Sequence, residues 1–132
     1  MANGIWRPAL PASETALAKL RAGASFRLPD AYLEQLATSN GGEGDLAVEP
    51  RWIVFWPADD VLSLNAQYSV PELLPGFFGF GTNGGGELLA FDLRGPEPHP
   101  IAMVPFIPLD AEHAVQIAAS FNDLRRLVGT KT

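Results

Sequence analysis

The sequence predicts a single α+β domain with an antiparallel or mixed central sheet flanked by helices. Three observations predict it. The chain has 132 residues, enough for one core and too few for two ordinary domains. Its N-terminal third carries helical apolar spacing, whereas segments of period-two spacing gather between residues 51 and 107. Those strands follow one another too closely for the crossover helices of a doubly wound parallel sheet.

The elements follow in order. Ser13 is placed to cap a short first helix, with Glu14 facing the positive helix end and Leu17 and Leu20 forming its apolar stripe. Gly23 is a stop signal. Leu28-Pro29-Asp30 opens a second helix with Tyr32, Leu33, Leu36 and Ala37 on one arc and Glu34, Gln35, Thr38 and Ser39 opposite. Asn40-Gly41-Gly42 ends it, because these residues accept the left-handed conformation.

Residues 51–56 read as a strand. Trp52, Val54 and Trp56 face one way and Ile53 and Phe55 the other, so both faces are expected to be covered. Asp59-Asp60 begins a third helix that runs to Tyr68, with Asn65 inside its apolar arc. Residues 77–82 and 87–94 read as a hairpin around the turn Asn83-Gly84-Gly85-Gly86. Another strand spans 101–107, placed at an edge or shortened by Pro105. After Pro108-Leu109-Asp110 the sequence reads as helical. Ser120 and Asp123 then cap a last helix with Phe121, Leu124, Leu127 and Val128 on its apolar face.

Composition narrows the chemistry. There are 47% hydrophobic residues, and 13 Gly with 12 Pro imply many turns within a folded body. The absence of cysteine excludes disulfides, thiolate catalysis and thiol-based zinc sites. A net charge of −6 disfavours nucleic acid and anionic membranes and favours a basic partner. Residues 1–11 lack a basic segment followed by an apolar one, and no apolar run nears the roughly 18 residues that span a bilayer. A cytoplasmic location without membrane attachment is therefore expected.

Gly79-Phe80-Gly81-Thr82-Asn83-Gly84 matches the G-x-G-x-x-G spelling of dinucleotide-binding loops. That motif needs a helix after the glycines, so that phosphate meets a helix N-terminus. Here period-two sequence follows, so a glycine-rich hairpin is expected. His99 and His113 have no neighbours at metal-ligand spacing, so neither a metal ion nor a cofactor is expected. Glu43, Asp45 and Glu49 lie in a glycine-rich stretch that reads as flexible, as solvated charge or a contact surface for a basic partner. Trp52 and Trp56 read as core. Asn65 reads as a buried amide making structural hydrogen bonds, or else as a ligand contact.

Several of these pieces resemble one known family. Leu28-Pro29-Asp30-Ala31-Tyr32-Leu33 followed by Asn40-Gly41-Gly42 resembles the "LP-x-x-Y … NGG" signature of the SUKH superfamily of Smi/Knr-like proteins. Asn65 to Tyr68 resembles its "N-x-x-Y", Phe91-Asp92 its "F-D" strand, and Ser120-Phe121 with Leu124 its closing "S-F … L" helix. The resemblance spans residues 13–129, leaving an N-terminal arm at 1–12 and a tail at 130–132. It implies an α+β domain that binds proteins and is not an enzyme. Bacterial members are regarded as immunity proteins against toxins, often nucleases, and fungal members as regulatory interaction modules.

The expected function is neutralisation of a cognate toxin by protein–protein contact. The alternatives are a regulatory adaptor or a small-molecule-binding domain. Candidate binding residues are Asn65, Tyr68, Asp92, Glu43, Asp45 and Glu49. No catalytic residue is expected.

Overall fold

The computed structural model describes residues 2–132, so Met1 of the expected arm lies outside the described residues. After β1 (Ala2–Asn3) comes a seven-stranded antiparallel meander of β2 (Trp6–Arg7), β3 (Glu43–Asp45), β4 (Trp52–Phe55), β5 (Phe77–Thr82), β6 (Glu87–Asp92), β7 (Ile101–Pro105) and β8 (Val115–Ala118), in that spatial order. The tail strand β9 (Thr130–Lys131) pairs with β1 in a separate two-stranded ribbon. Five helices accompany the strands: α1 (Glu14–Gly23), α2 (Asp30–Thr38), α3 (Val61–Gln67), α4 (Val70–Leu73) and α5 (Phe121–Arg125). The domain is α+β, as the sequence predicts.

Directly opposed residues of antiparallel strands share a face. On one face Phe91 opposes Ile101, and its ring meets Tyr32 of α2 at 5.4 Å and Phe121 of α5 at 5.9 Å. Phe55 and Phe80 complete this aromatic core. Phe80 reaches it through a register shift between Gly79 and Gly81, where the extra residue of a bulge turns its ring inward. Gly81 is required there, since a Cβ would lie 2.4 Å from the Val54 carbonyl oxygen. Each buried ring contributes roughly 1.5–3 kcal/mol through burial alone. On the other face Leu88 opposes Val104 and Ala90 opposes Ala102, and α3 and α4 pack against β5.

Both serine caps are present: Ser13 Oγ accepts the Ala16 N–H, and Ser120 Oγ accepts the Asp123 N–H, but the Asp123 carboxylate accepts from Arg126 instead of closing a capping box. The G-x-G-x-x-G segment is part of the β5–β6 hairpin, with strand on both sides. Pro105 closes β7, so that strand is shortened.

Four expectations need correction. Gln35 and Ser39 of the second helix, assigned to the polar arc, are buried, while Ala37 is exposed. The buried polar atoms are paired: Gln35 Oε1 accepts from Arg125 Nε, and Ser39 Oγ accepts the Ala9 N–H and donates to the Gly41 carbonyl. The sequence after Asp110 is not helical. Asp110 caps a single 3-10 turn, Ala111–His113, and the alanine-rich stretch beyond pairs with β7. Long-range ladder bonds override helix propensity there.

The stretch from Glu43 is not flexible either. Glu43 and Asp45 belong to a strand whose Gly44 lets β2 approach; a Cβ would sit 2.3 Å from the Ile5 carbonyl oxygen. Finally, only one of the two tryptophans is core. Trp56 is 6% exposed, but Trp52 is half-buried, with the Arg7 guanidinium 5.7 Å from its ring centre.

Candidate protein-binding surface

Helix α3 determines which polar groups are inside. Asn65 lies on its inner side, and its amide bonds the Val61 carbonyl and both backbone groups of Gly79. All three bonds are to backbone, so the side chain is committed to holding α3 on β5. Tyr68 follows α3 on the outer side and is 42% exposed. Its ring stacks on Trp56 at 6.0 Å with planes 10° apart and meets Phe106 at 4.7 Å. Beyond Phe106 stands Ile107, 91% exposed.

The carboxylates divide into two groups. Glu43 pairs with Arg7 at 3.3 Å, and Glu49 approaches Arg51 at 3.9 Å. Asp45 Oδ2 accepts the Ile5 N–H at 2.6 Å and lies 3.9 Å from Lys131 Nζ. Asp92 accepts from Arg94 Nε and Nη2, each at 2.9 Å, and these bonds hold its carboxyl below the usual aspartate range. That bidentate pair also lays the Arg94 guanidinium over Phe77, 4.7 Å from the ring centre.

By contrast Asp59, Asp60, Glu72 and Glu87 form no ion pair among the described residues. Asp59 takes only a neutral partner, the Asn40 amide. From Trp52 to Leu93 the chain has five carboxylates and no Lys or Arg. Glu72 lies in α4, which begins after the left-handed Ser69 that follows Tyr68, and Glu87 follows Gly86, whose carbonyl accepts the Phe106 N–H. Of these carboxylates, Glu87 opposes Pro105, the neighbour of Phe106, whereas Asp59 and Asp60 stand at the end of α3 away from Tyr68.

The six candidate residues are not gathered in one place. A groove of about 470 Å³ lined by Leu62, Asn65, Pro71, Phe77, Phe78 and Leu93 includes neither Tyr68 nor Asp92. A second groove of about 370 Å³ lies between the starts of α2 and α5, with Arg27, His99 and Phe121 in its wall. Among the described residues no three His, Asp or Glu side chains are grouped to hold a metal ion, and no helix is long and apolar enough to cross a membrane. Tyr32 is fully buried, its hydroxyl has no partner among the described residues, and burial pushes its pKa up.

Residues 11–126 match the family model of the SMI1 / KNR4 family (SUKH-1). The chain belongs to that family. A comparison with curated proteins gives no match. The match covers the whole sheet from β3 to β8 and all five helices, so it includes both the Asn65 anchor and the Tyr68 stack.

Sequence reasoning missed Phe106 and Ile107. A signal was present: two large apolar residues stand between Pro105 and Pro108, where neither flanking residue can donate a ladder bond. Such residues are cut off from a sheet core and end on its rim.

Proposed function

We propose that this chain is a cytoplasmic immunity protein that binds a cognate toxin with a basic surface and blocks it by contact, without chemistry of its own. The SUKH family includes toxin-immunity proteins. The observation that carries the reading is an exposed aromatic surface at Tyr68 on a segment, Trp52 to Leu93, whose Asp59, Asp60, Glu72 and Glu87 have no cationic partner among the described residues. Contact hot spots favour tyrosine and tryptophan. An acidic rim speeds encounter with a basic protein and rejects acidic ones. A nuclease fits this description, because its substrate is a polyanion and its active surface is basic.

Tyr68, Phe106 and Ile107 are the apolar centre of the contact, and Asp60, Glu72 and Glu87 its charged border. Asn65 acts indirectly, by fixing the helix that ends at Tyr68. Asp92, Glu43, Asp45 and Glu49 each have a cationic neighbour within the chain and contribute less to attraction.

Co-expression with the protein encoded beside this chain's gene tests the reading. The expected result is a stable one-to-one complex in which the toxin's activity is suppressed. Failure to bind that protein, with its toxicity undiminished, would refute it.

A further inference from the structure

We propose that two copies of this chain pair antiparallel through the free edge of β8, joining their sheets across a two-fold axis. This goes beyond the toxin reading and does not depend on it.

β8 is the last strand of the sheet. It pairs with β7 on one side, and its other main neighbour is α5, which follows it in the chain. A strand edge presents a row of unpaired N–H and C=O groups, which proteins usually guard by charge, proline or shortness. β8 is four residues long and bulged against β7, but it lacks the other two guards. Residues 114–119 read Ala-Val-Gln-Ile-Ala-Ala, with neither charge nor proline. Val115 is 50% exposed on this strand.

The opposite edge of the same sheet is guarded. β2 has two residues, one of them Arg7, and Pro8 follows directly. Charge and proline guard the β2 edge and are missing from the β8 edge.

The occupant follows from charge and symmetry. An antiparallel strand edge is its own complement under a two-fold axis. Two chains of net charge −6 repel each other over most of their surface, but the stretch 114–119 is neutral and is where copies approach at least electrostatic cost. Because β2 is guarded, each copy offers one edge and assembly stops at two. The pairing edge contains none of the carboxylates of the proposed toxin contact.

Sedimentation equilibrium of the full chain over a wide concentration range tests this. The expected result is a reversible rise from 14.2 kDa towards twice that mass. Added salt should strengthen the association, since it screens the repulsion between acidic copies. Val115→Glu and, separately, Val115→Lys should each give a monomer with an unchanged circular dichroism spectrum. A wild-type chain that stays monomeric to its solubility limit overturns the proposal. So does a dimer that survives both folded Val115 variants, or one that dissociates as salt rises.

Discussion

The side-chain amide of Asn65 imitates a neighbouring β-strand towards Gly79: its Nδ2 donates to the Gly79 carbonyl at 2.9 Å, and its Oδ1 accepts the Gly79 N–H at 2.8 Å. Gly79 sits at the edge of the β5 bulge, where ladder pairing is disturbed. Nδ2 also donates to the Val61 carbonyl one turn earlier in α3. One buried side chain therefore fastens a seven-residue helix to the sheet. Tyr68, which caps the end of α3, follows directly from that clamped helix.

Replacing Asn65 by Leu keeps the branched shape, with somewhat larger methyl groups in place of the amide, but leaves the Gly79 N–H and carbonyl buried without partners. The expected cost is about 3 kcal/mol of folding stability, at roughly 1–3 kcal/mol per orphaned group. Urea unfolding measures it. Asn65→Asp supplies an acceptor but no donor and should also be strongly destabilising. A loss below about 0.5 kcal/mol for both variants would contradict the clamp.

Gly79→Ala tests the same contact from the other side. A Cβ there would lie 2.9 Å from Leu88 Cδ1, 3.1 Å from Trp56 and 3.3 Å from Asn65 Oδ1. Overpacking of this kind costs about 1–3 kcal/mol. Gly86→Ala, where a Cβ meets nothing within 4 Å, is the control and should change thermal stability little.

His113 and Asp110 form an exposed pair, with His113 Nδ1 against Asp110 Oδ1. The hydrogen bond to Asp110 raises the His113 pKa above its usual 6.5, and its counterpart lowers that of Asp110. A raised histidine value means that the pair's contribution is fully present below pH 6.5 and is lost as pH rises through the folded value. NMR titration of the His113 ring should give a midpoint above 6.5. Asp110→Asn should bring it back down, and an unchanged midpoint would rule out the pairing.

Asp92 has the opposite sign. Its carboxyl is held low by Arg94, so the pair stabilises above the ordinary aspartate value of 3.8 and fades as pH falls through the lower folded value. Asp92→Asn should cost about 1 kcal/mol near neutrality, a modest figure because Arg94 is half exposed. The gap between variant and wild type should close in strong acid. A gap that is independent of pH would assign the loss to packing instead.

Much of the frame was legible because local signals and tertiary demands agreed. Ser13 and Ser120 cap helices as their positions imply, and the residues from Phe77 to Asp92 alternate as a hairpin must. Asn65 was conspicuous as an amide within an apolar arc, and burial against Gly79 explains why it is there. What escaped was set by distant partners. Gln35 is buried because Arg125, far along the chain, comes to meet it. Residues 115–118 are extended because β7 offers a ladder, which nothing in their own alanine-rich sequence reveals. The exposed rim was harder still. Tyr68 stood out as a candidate binding residue, but Phe106 read as part of a strand, and only the packed sheet brings its ring against Tyr68.

Association kinetics with the protein captured as the proposed toxin partner test the central claim most directly. The comparison is wild type against Tyr68→Ala and against the triple charge reversal Asp60→Lys, Glu72→Lys and Glu87→Lys. Tyr68→Ala should weaken binding about 30-fold, chiefly through faster dissociation, as removal of a hot-spot ring costing about 2 kcal/mol does. The charge reversal should slow association and abolish its dependence on salt. Wild-type kinetics in both variants would place the contact elsewhere and contradict the account.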